Sequence, residues 1–379
     1  MFSSVGSKVV SCVQRISWFD CYVTPYTWKW RLERRTKLFL AAMSGGKRPH
    51  WEPVPPGGVI SNVFLLDYSP GFGDTLYING LVRYLVTSGI RVHVATFPKL
   101  QSVFKTTLPE SAVHDITDAA QLESLARKSW DTVVDCSYVV LRGWASRVRF
   151  LKATKSPVLA TDVRIGPNPT VCSDWVDLTG CVHIGDRWAK VAERLTGHSV
   201  KRITSYVGLE PKKVPYPYVY VNAVGTRKSR TLSQEQIDRI TGFLNQNNMN
   251  AFVYALGNQT VRETPFVKRI HPTSFAEACR WIAGSAGVIS PDTAVVHAAS
   301  AYGKPQLAFF AGNFIECFGC PVEKAFAPLV DYEILTPSRR LRFSREVVPV
   351  SEIEKKTLDE ALERFLRKVR PVLGDRVYT

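Results

Sequence analysis

Two short stretches of the chain carry side chains that could do chemistry. The first is Ser69-Pro70-Gly71-Phe72-Gly73-Asp74. Its glycines let the backbone turn sharply and approach a ligand closely. Asp74 falls at the expected start of a helix, where it can accept a proton or simply cap the helix and complement its dipole. The loop is not a dinucleotide fingerprint, because the third glycine of G-x-G-x-x-G is absent. No Gly-Lys-Ser/Thr follows it, so it is not a P-loop. The second stretch is Ser290-Pro291-Asp292-Thr293, running on into Ala294 and His297. A helix starting here would offer N–H groups and a positive dipole end, which suits a diphosphate. Thr293 adds a hydroxyl, and His297, four residues on, shares its helix face. Asp292 as an N-cap and His297 as a satisfied core histidine are the alternatives.

Both stretches sit where a strand gives way to a helix. The apolar run "VISNVFLLDYS" from residue 59 reads as a buried strand, "TLYINGLVRYLVTSG" as a helix ending at Gly89, and "IRVHVATF" as the next strand. "WDTVVDCS" (130–137) is a further strand and "GDRWAKVAERLTG" (185–197) a helix. After a Pro-rich linker, "LEPKKVPYPYV" (209–219), the pattern starts again. "YVYVNAV", "NAFVYALG", "AGVIS" and "QLAFF" read as strands. Between them lie the helices "LSQEQIDRITGFLNQ" with Ser233 as N-cap, "SFAEACRWIAG", and one over about 293–302. The expectation is two α/β units with parallel sheets: residues 59–212 and 213–345. A late helix within 346–379, "TLDEALERFLRKVR", can cross back to the first unit. In such sheets ligands bind beyond the carboxyl ends of the strands, where both stretches fall.

Residues 1–58 differ from the rest. Trp28, Trp30, Arg31, Arg34, Arg35 and Lys37 lie close together there, a mix that suits an anionic membrane surface or an arm packed on the protein's own body. Residues 44–58 read as a linker. The sequence shows neither a signal-peptide core nor a run long enough to span a membrane, which suggests the cytoplasm. The 379 residues carry a net charge of +16, pointing to an acidic partner: nucleic acid, anionic lipid or a phosphorylated substrate. Zinc-finger spacing and the aromatic RNA-stacking pattern are both missing, which argues against nucleic acid. Eight cysteines are scattered without a framework, so reduced thiols are expected. Cys317-Phe-Gly-Cys320 is a lone CxxC with no second pair nearby to complete a zinc site.

Taken together, "SPGFGDTL" early in the first unit and "ISPDTAVVHAASAYGKP" late in the second resemble glycosyltransferase family 9. The best-known members of that family are the ADP-heptose:lipopolysaccharide heptosyltransferases. The family's late motif usually reads S-x-D-T-G-x-x-H-x-A-A-x-x-G-x-P. This chain matches almost every fixed position, with Ala294 where glycine is usual. The resemblance covers roughly residues 59–330. It implies a GT-B architecture: two Rossmann-like domains facing across a cleft, the acceptor on the first and the nucleotide donor on the second. Asp74 then falls on the family's general base, in an acceptor-side loop with Ser69, Gly71 and Gly73. Asp292, Thr293, Ala294 and His297 fall on the donor-binding motif. Arg230, with Lys228 nearby, falls where the family has a lysine near the donor phosphates. Asn258 falls near a donor-sugar contact, and Thr273 in "HPTS" (271–274) near the base pocket.

The resemblance implies an inverting transfer without a metal or other cofactor. The nucleotide sugar is a substrate, expected to be ADP-linked, and the acceptor an acidic glycolipid or saccharide. A member with another donor, a basic nucleic-acid-binding protein and a non-catalytic scaffold are the competing readings. The expected place is the cytoplasm, with peripheral attachment to the inner membrane as an extension.

Overall fold

A computed structural model describes residues 60–69, 71–137, 144–161, 171–176, 181, 183–311, 315–316, 320–321, 327–328, 331–336 and 348–373. The arm at 1–58, Pro70 and the span between the two cysteines of the CxxC lie outside them.

The first lobe is a parallel sheet of β1 (Asn62–Leu66), β2 (Arg91–Thr96), β3 (Val113–Asp115), β4 (Thr132–Asp135), β5 (Val158–Ala160) and β6 (Asp174–Trp175). Its order is β3-β2-β1-β4-β5-β6. Helices α1 (Phe72–Thr87), α2 (Gln101–Phe104), α3 (Ala119–Arg127), α4 (Trp144–Ala153) and α5 (Ile184–Thr196) connect these strands or follow them. The second lobe repeats the plan with β7 (Val219–Asn222), β8 (Ala251–Tyr254), β9 (Val267–Ile270), β10 (Gly287–Pro291) and β11 (Gln306–Phe309). A short antiparallel pair, β12 (Ile315–Glu316) and β13 (Cys320–Pro321), precedes its last strand, β14 (Tyr332–Leu335). The order here is β14-β11-β10-β7-β8-β9, again all parallel. Helices α6 (Gln234–Gln246), α7 (Phe275–Gly284), α8 (Ala294–Ala301) and α9 (Lys355–Leu373) complete it. In each sheet the strand order reverses beside the first strand, between β1 and β4 and between β7 and β10. That reversal opens a crevice at the carboxyl ends, and the two chemistry-bearing loops leave β1 and β10 there.

Strands buried on both faces explain the continuous apolar runs: Val63 to Leu66, Val219 to Val221 and Val288 to Ile289 are all buried. Helix α1 is apolar nearly all round because it has two neighbours. Tyr77, Ile78, Leu81, Val82 and Leu85 join the core of the first lobe. Leu76 joins a separate cluster with Val295, Ala298 and Ala299 of α8. The small side chains of α8 therefore bring two helices of different lobes together.

The segment between the lobes runs over the outside of α1. Tyr206 N–H donates to Leu76 O at 3.0 Å, and Asn79 Nδ2 donates to Tyr206 O at 3.1 Å. A Cβ at Gly80 would stand 1.9 Å from Thr204 O, so only glycine lets the segment lie this close. Leu358, Ala361, Leu362, Phe365, Leu366 and Val369 of α9 belong to the core of the second lobe. The late helix thus covers the second sheet in place of crossing to the first unit. Among the described residues no helix is long and apolar enough to cross a membrane.

Candidate active site between the two lobes

The first loop is built around a carboxylate the sequence did not single out. Asp67, just past β1, is fully buried. Ser69 N–H donates to its Oδ1 at 2.8 Å and Thr96 Oγ1 to its Oδ2 at 3.1 Å. Ser69 is buried with it, so this end of the loop is fixed from below. Gly71, not Asp74, is the N-cap of α1. Asp74 stands in the first helical turn, half-buried, and a Cβ at Gly71 would lie 3.6 Å from its Oδ2. Asp74 is therefore not the N-cap, but its place in the first turn keeps the role of complementing the helix dipole.

Burial drives the Asp67 carboxyl up to about 7, with hydrogen bonds from Ser69 and Thr96 acting against it and the Asp74 charge adding to it. Its folded-state value lies above that of the unfolded chain. Its contribution to stability is therefore fully present below about pH 4 and is lost as pH rises through about 7. Asp67→Asn is expected to remove this slope: urea midpoints of the variant should gain on those of the parent between pH 4.5 and 8. A difference between the two that stays constant over that range would show that Asp67 does not titrate there.

The second loop is held by Asn222, the last residue of β7. Its Nδ2 donates to Ser290 Oγ at 3.0 Å and to Thr293 Oγ1 at 3.4 Å, and Val224 N–H donates to its Oδ1 at 3.2 Å. The N-cap of α8 is Thr293, whose Oγ1 accepts from Val295 N–H at 3.2 Å. Asp292 is therefore not the cap. It is 6% exposed, its N–H donates to Phe309 O at 2.7 Å, and its Oδ2 meets Arg230 Nη1 at 3.1 Å. Arg230 reaches it from a short 3-10 turn, Lys228–Arg230, folded tightly enough that a Cβ at Gly225 would meet Arg230 O at 2.4 Å. Ala294 is half-exposed at the helix mouth and Lys228 is exposed on the turn. The structure thus joins Asp292, Thr293 and Arg230 into one group.

His297 takes another place. It is 5% exposed, with its ring against the first turn of α1: a Cβ at Gly73 would stand 2.7 Å from its Cδ2. Tyr77 sits edge-on between His297 and His183, with centroids 5.5 and 5.8 Å away. Burial lowers His297 to about 4, aided by His183, so it is neutral at pH 7. His183 Nδ1 accepts from Gly185 N–H at 3.0 Å, which leaves Nε2 to carry the proton and donate to Ala327 O, also at 3.0 Å. Ser205 Oγ donates to His297 O at 2.8 Å. This histidine is one side of the contact between lobes, close to the core-histidine alternative.

Asn258 and Thr273 are not brought to the Asp292–Arg230–Thr293 group. Asn258 is exposed in the turn after β8, while its neighbour Gln259 ties that turn to Leu232 O at 2.8 Å. Thr273 donates from both N and Oγ1 to Glu277 Oε2 at 2.9 Å. Those bonds hold the Glu277 carboxyl down near 2. Next to it, Phe275 packs against Phe72 across the lobes, rings tilted by 30° and centroids 4.2 Å apart. Sequence reasoning missed Asp67, Asn222, Tyr77 and Ser205. A polar residue ending an apolar strand is the signal that could have found the first two.

No protein-family model and no curated protein matches the chain. Solved structures do resemble it. A family 9 glycosyl transferase from Veillonella parvula superposes with a TM-score of 0.62 at 10% identity, covering 82% of this chain and 98% of that one. The E. coli heptosyltransferase WaaC with ADP gives 0.60 at 14%, covering 81% and 98%. E. coli ADP-heptose lipopolysaccharide heptosyltransferase II gives 0.59 at 11%, covering 83% and 99%. Identities this low speak for the fold alone. With two parallel sheets, the same strand order in both lobes and helices that meet across them, the chain has the GT-B fold of the family 9 glycosyltransferases.

Proposed function

We propose that the protein is an inverting glycosyltransferase that moves a sugar from a nucleotide diphosphate to an acceptor hydroxyl. The observation that carries this reading is the contact of Gly73 with His297. It sets the first turn of α1, which carries the half-buried Asp74, against α8 one turn beyond its mouth, and this supports a shared site. Asp74 takes the proton of the acceptor hydroxyl as its oxygen bonds to the anomeric carbon. The bond to the diphosphate breaks on the opposite face, and the electron pair leaves with the diphosphate. Arg230, Thr293 and the first N–H groups of α8 stabilise that departing charge. Asp292 orients the Arg230 guanidinium, which has donors to spare for a phosphate.

The donor is proposed to be ADP-linked, with ADP-heptose as the first candidate. The resemblance to WaaC, a heptosyltransferase solved with ADP, supports this choice. The test is a screen of ADP-, UDP- and GDP-sugars by melting shift, with mass detection of transferred sugar. A clear upward shift is expected with ADP-sugars at concentrations well above Kd. A shift with UDP- or GDP-sugars alone would move the donor assignment, and none with any would sink the reading. Residues 1–58 are proposed to hold the enzyme on an anionic membrane surface. Deleting residues 1–50 should weaken sedimentation with phosphatidylglycerol vesicles, and unchanged sedimentation would remove that role.

Arg230→Ala is expected to weaken ADP binding about tenfold, the value of a charge-assisted hydrogen bond. Arg230→Lys should recover part of it, because the charge returns without the planar fork. Calorimetric titration with ADP decides. An Arg230→Ala protein that binds ADP like the parent would reduce Arg230 to a structural partner of Asp292.

A further inference from the structure

The first lobe carries a second group of titratable side chains, away from the crevice. Val92 and Val94 of β2 join the core on the α1 side of the sheet, so Arg91 and His93 face the other side. His114 of β3 is level with Ala95 and shares their face. Helix α3 packs on this face through Leu122, Leu125 and Ala126 and ends at Arg127, with Lys128 as its C-cap. A crossover helix runs back against its strands, so Lys128 lies toward their amino ends, as Arg91 does. The loops that carry Asp74 and Asp292 leave the carboxyl ends instead.

The two half-buried histidines form a hydrogen-bonded pair. His93 Nδ1 and His114 Nε2 are 3.1 Å apart, with ring centroids 5.4 Å apart and planes within 6°. Such values require both nitrogens to lie on the line between the ring centres, so the rings meet edge to edge in one plane. One nitrogen donates and the other accepts. Trp130 lies against His93 and Phe64 against His114, centroids 5.0 and 6.2 Å away, which holds both rings. The outer nitrogens, His93 Nε2 and His114 Nδ1, make no hydrogen bond among the described residues, and neither is sealed from solvent.

A neutral pair carries two ring hydrogens. One lies between the rings, so one outer nitrogen bears a hydrogen and the other a lone pair. A single added proton goes to that lone pair, keeps the internal bond and makes both outer nitrogens donors. A second proton would break the internal bond, so the pair is built to take up one.

The charges around the pair are of one sign. Burial, then Lys128 and Arg91, lower His93, while burial, then His93 and Lys128, lower His114 to about 4. No carboxylate acts to raise either. The acids nearby are engaged elsewhere: Asp131, ahead of β4, accepts from Ser61 N and Oγ and from Asn62 N, and Glu123 of α3 pairs with Arg127. Phe64 of β1 and Phe150 of α4 pack together and bring no charge. Arg91 and Lys128 are exposed and have no ion pair among the described residues. An oxyanion supplies the missing negative charge and an acceptor for each outer N–H. A phosphate group, with oxygens pointing in several directions, can face two imidazoles, an ammonium and a guanidinium together.

We propose that His93, His114, Lys128 and Arg91 bind a phosphate group on this flank of the first lobe and that one proton is taken up with it. The site is separate from the donor crevice and does not depend on the glycosyltransferase reading. The phosphate belongs to a soluble ester or to a lipid headgroup.

The experiment follows the ring Cε1–H signals of His93 and His114 by NMR in the full chain, assigned with His93→Gln and His114→Gln. A local signal keeps the mouth of α8, which can also hold an anion, out of the readout. Sulfate is the first probe, because its charge is constant between pH 5 and 8. It is expected to bind about three- to tenfold tighter at pH 5.5 than at pH 8, since the bound form holds one more proton. His93→Gln removes half of the proton-sharing pair and should bring the affinity at pH 5.5 down toward the value at pH 8. Lys128→Ala is an exposed change that spares the core. Without sulfate it should raise the His114 midpoint, because a neighbouring positive charge is gone, and it should weaken sulfate about threefold. A merely structural lysine would do neither. Glycerol phosphate displacing sulfate marks a soluble source, and phosphatidylglycerol vesicle binding weakened by Lys128→Ala marks a headgroup. Failure of both sources overturns the site. So do sulfate binding that leaves the histidine signals unmoved, equal affinity at the two pH values, or a Lys128→Ala protein that behaves like the parent.

Discussion

Asp74→Asn is expected to lower kcat for sugar transfer by about 10²- to 10⁴-fold, the range that general base catalysis supplies. Asparagine matches the carboxylate in shape but cannot accept the proton. Helix α1 should survive, because its cap is Gly71 and not Asp74. Donor binding should survive as well, since Asp292, Arg230 and Thr293 lie on the other lobe. The ADP melting shift should therefore match the parent while kcat and kcat/KM fall together. Asp67 is the control. It is fully buried and already accepts two hydrogen bonds, so it has no route to an acceptor hydroxyl. Asp67→Asn should retain turnover within about tenfold, the scale of a modest loss of positioning. Full turnover by Asp74→Asn would remove Asp74 from the chemistry. Loss in Asp67→Asn alone would transfer attention to the deeper carboxylate.

Much of the scaffold beneath this chemistry was legible, for identifiable reasons. Ser233 reads as a cap, and the structure gives it a full capping box with Gln236. The helix expected over about 293–302 spans Ala294–Ala301, because Thr293 caps it and the Gly303-Lys304-Pro305 turn ends it. Central strands announced themselves as apolar runs. The shorter strands did not: β5 is three residues long and β6 two, too few to show a period. Strand β9, "VKRI", lies at the sheet edge and carries charge, which reads as loop. The amphipathic pattern of α9 showed that it covers a core but not which one, because both sheets present the same kind of surface.

The candidate site was legible in its loops and not in its pairings. Nothing in the spacing of Arg230 and Asp292 says that they meet, since the fold joins β7 to β10 across many residues. Asp67 and Asn222 end apolar strands and look like turn residues in a sequence. Each instead fixes a loop from beneath. Thr293 proves to be the extended N-cap of α8, so it and His297 point to different partners, and what His297 meets is the other lobe. One-dimensional spacing gives the neighbours along a helix but not what packs against it.

That packing supports the second large effect. Gly73→Ala is expected to lower transfer about 10²-fold, because misplacing a reacting group by about 1 Å costs that much. The new methyl would stand 2.7 Å from His297 Cδ2, closer than packed carbons approach, so one lobe must move off the other. The imidazole cannot easily give way: it is buried, its edge faces Tyr77, and its backbone carbonyl accepts from Ser205. Asp74 rides on the displaced turn, while the Arg230–Asp292 pair stays with the second lobe. ADP affinity should therefore change little as turnover falls. His297→Ala alone leaves a cavity beside Tyr77 and should lower thermal stability. Combined with Gly73→Ala, it makes room for the methyl, and the double variant should recover turnover relative to Gly73→Ala. A double-mutant cycle measures that coupling directly, because each single change acts on the same contact. If the two changes prove additive in kcat, the Gly73–His297 contact does not set the distance between carboxylate and donor, and the lobes must be aligned by the Phe72–Phe275 contact or the Ser205 bond instead.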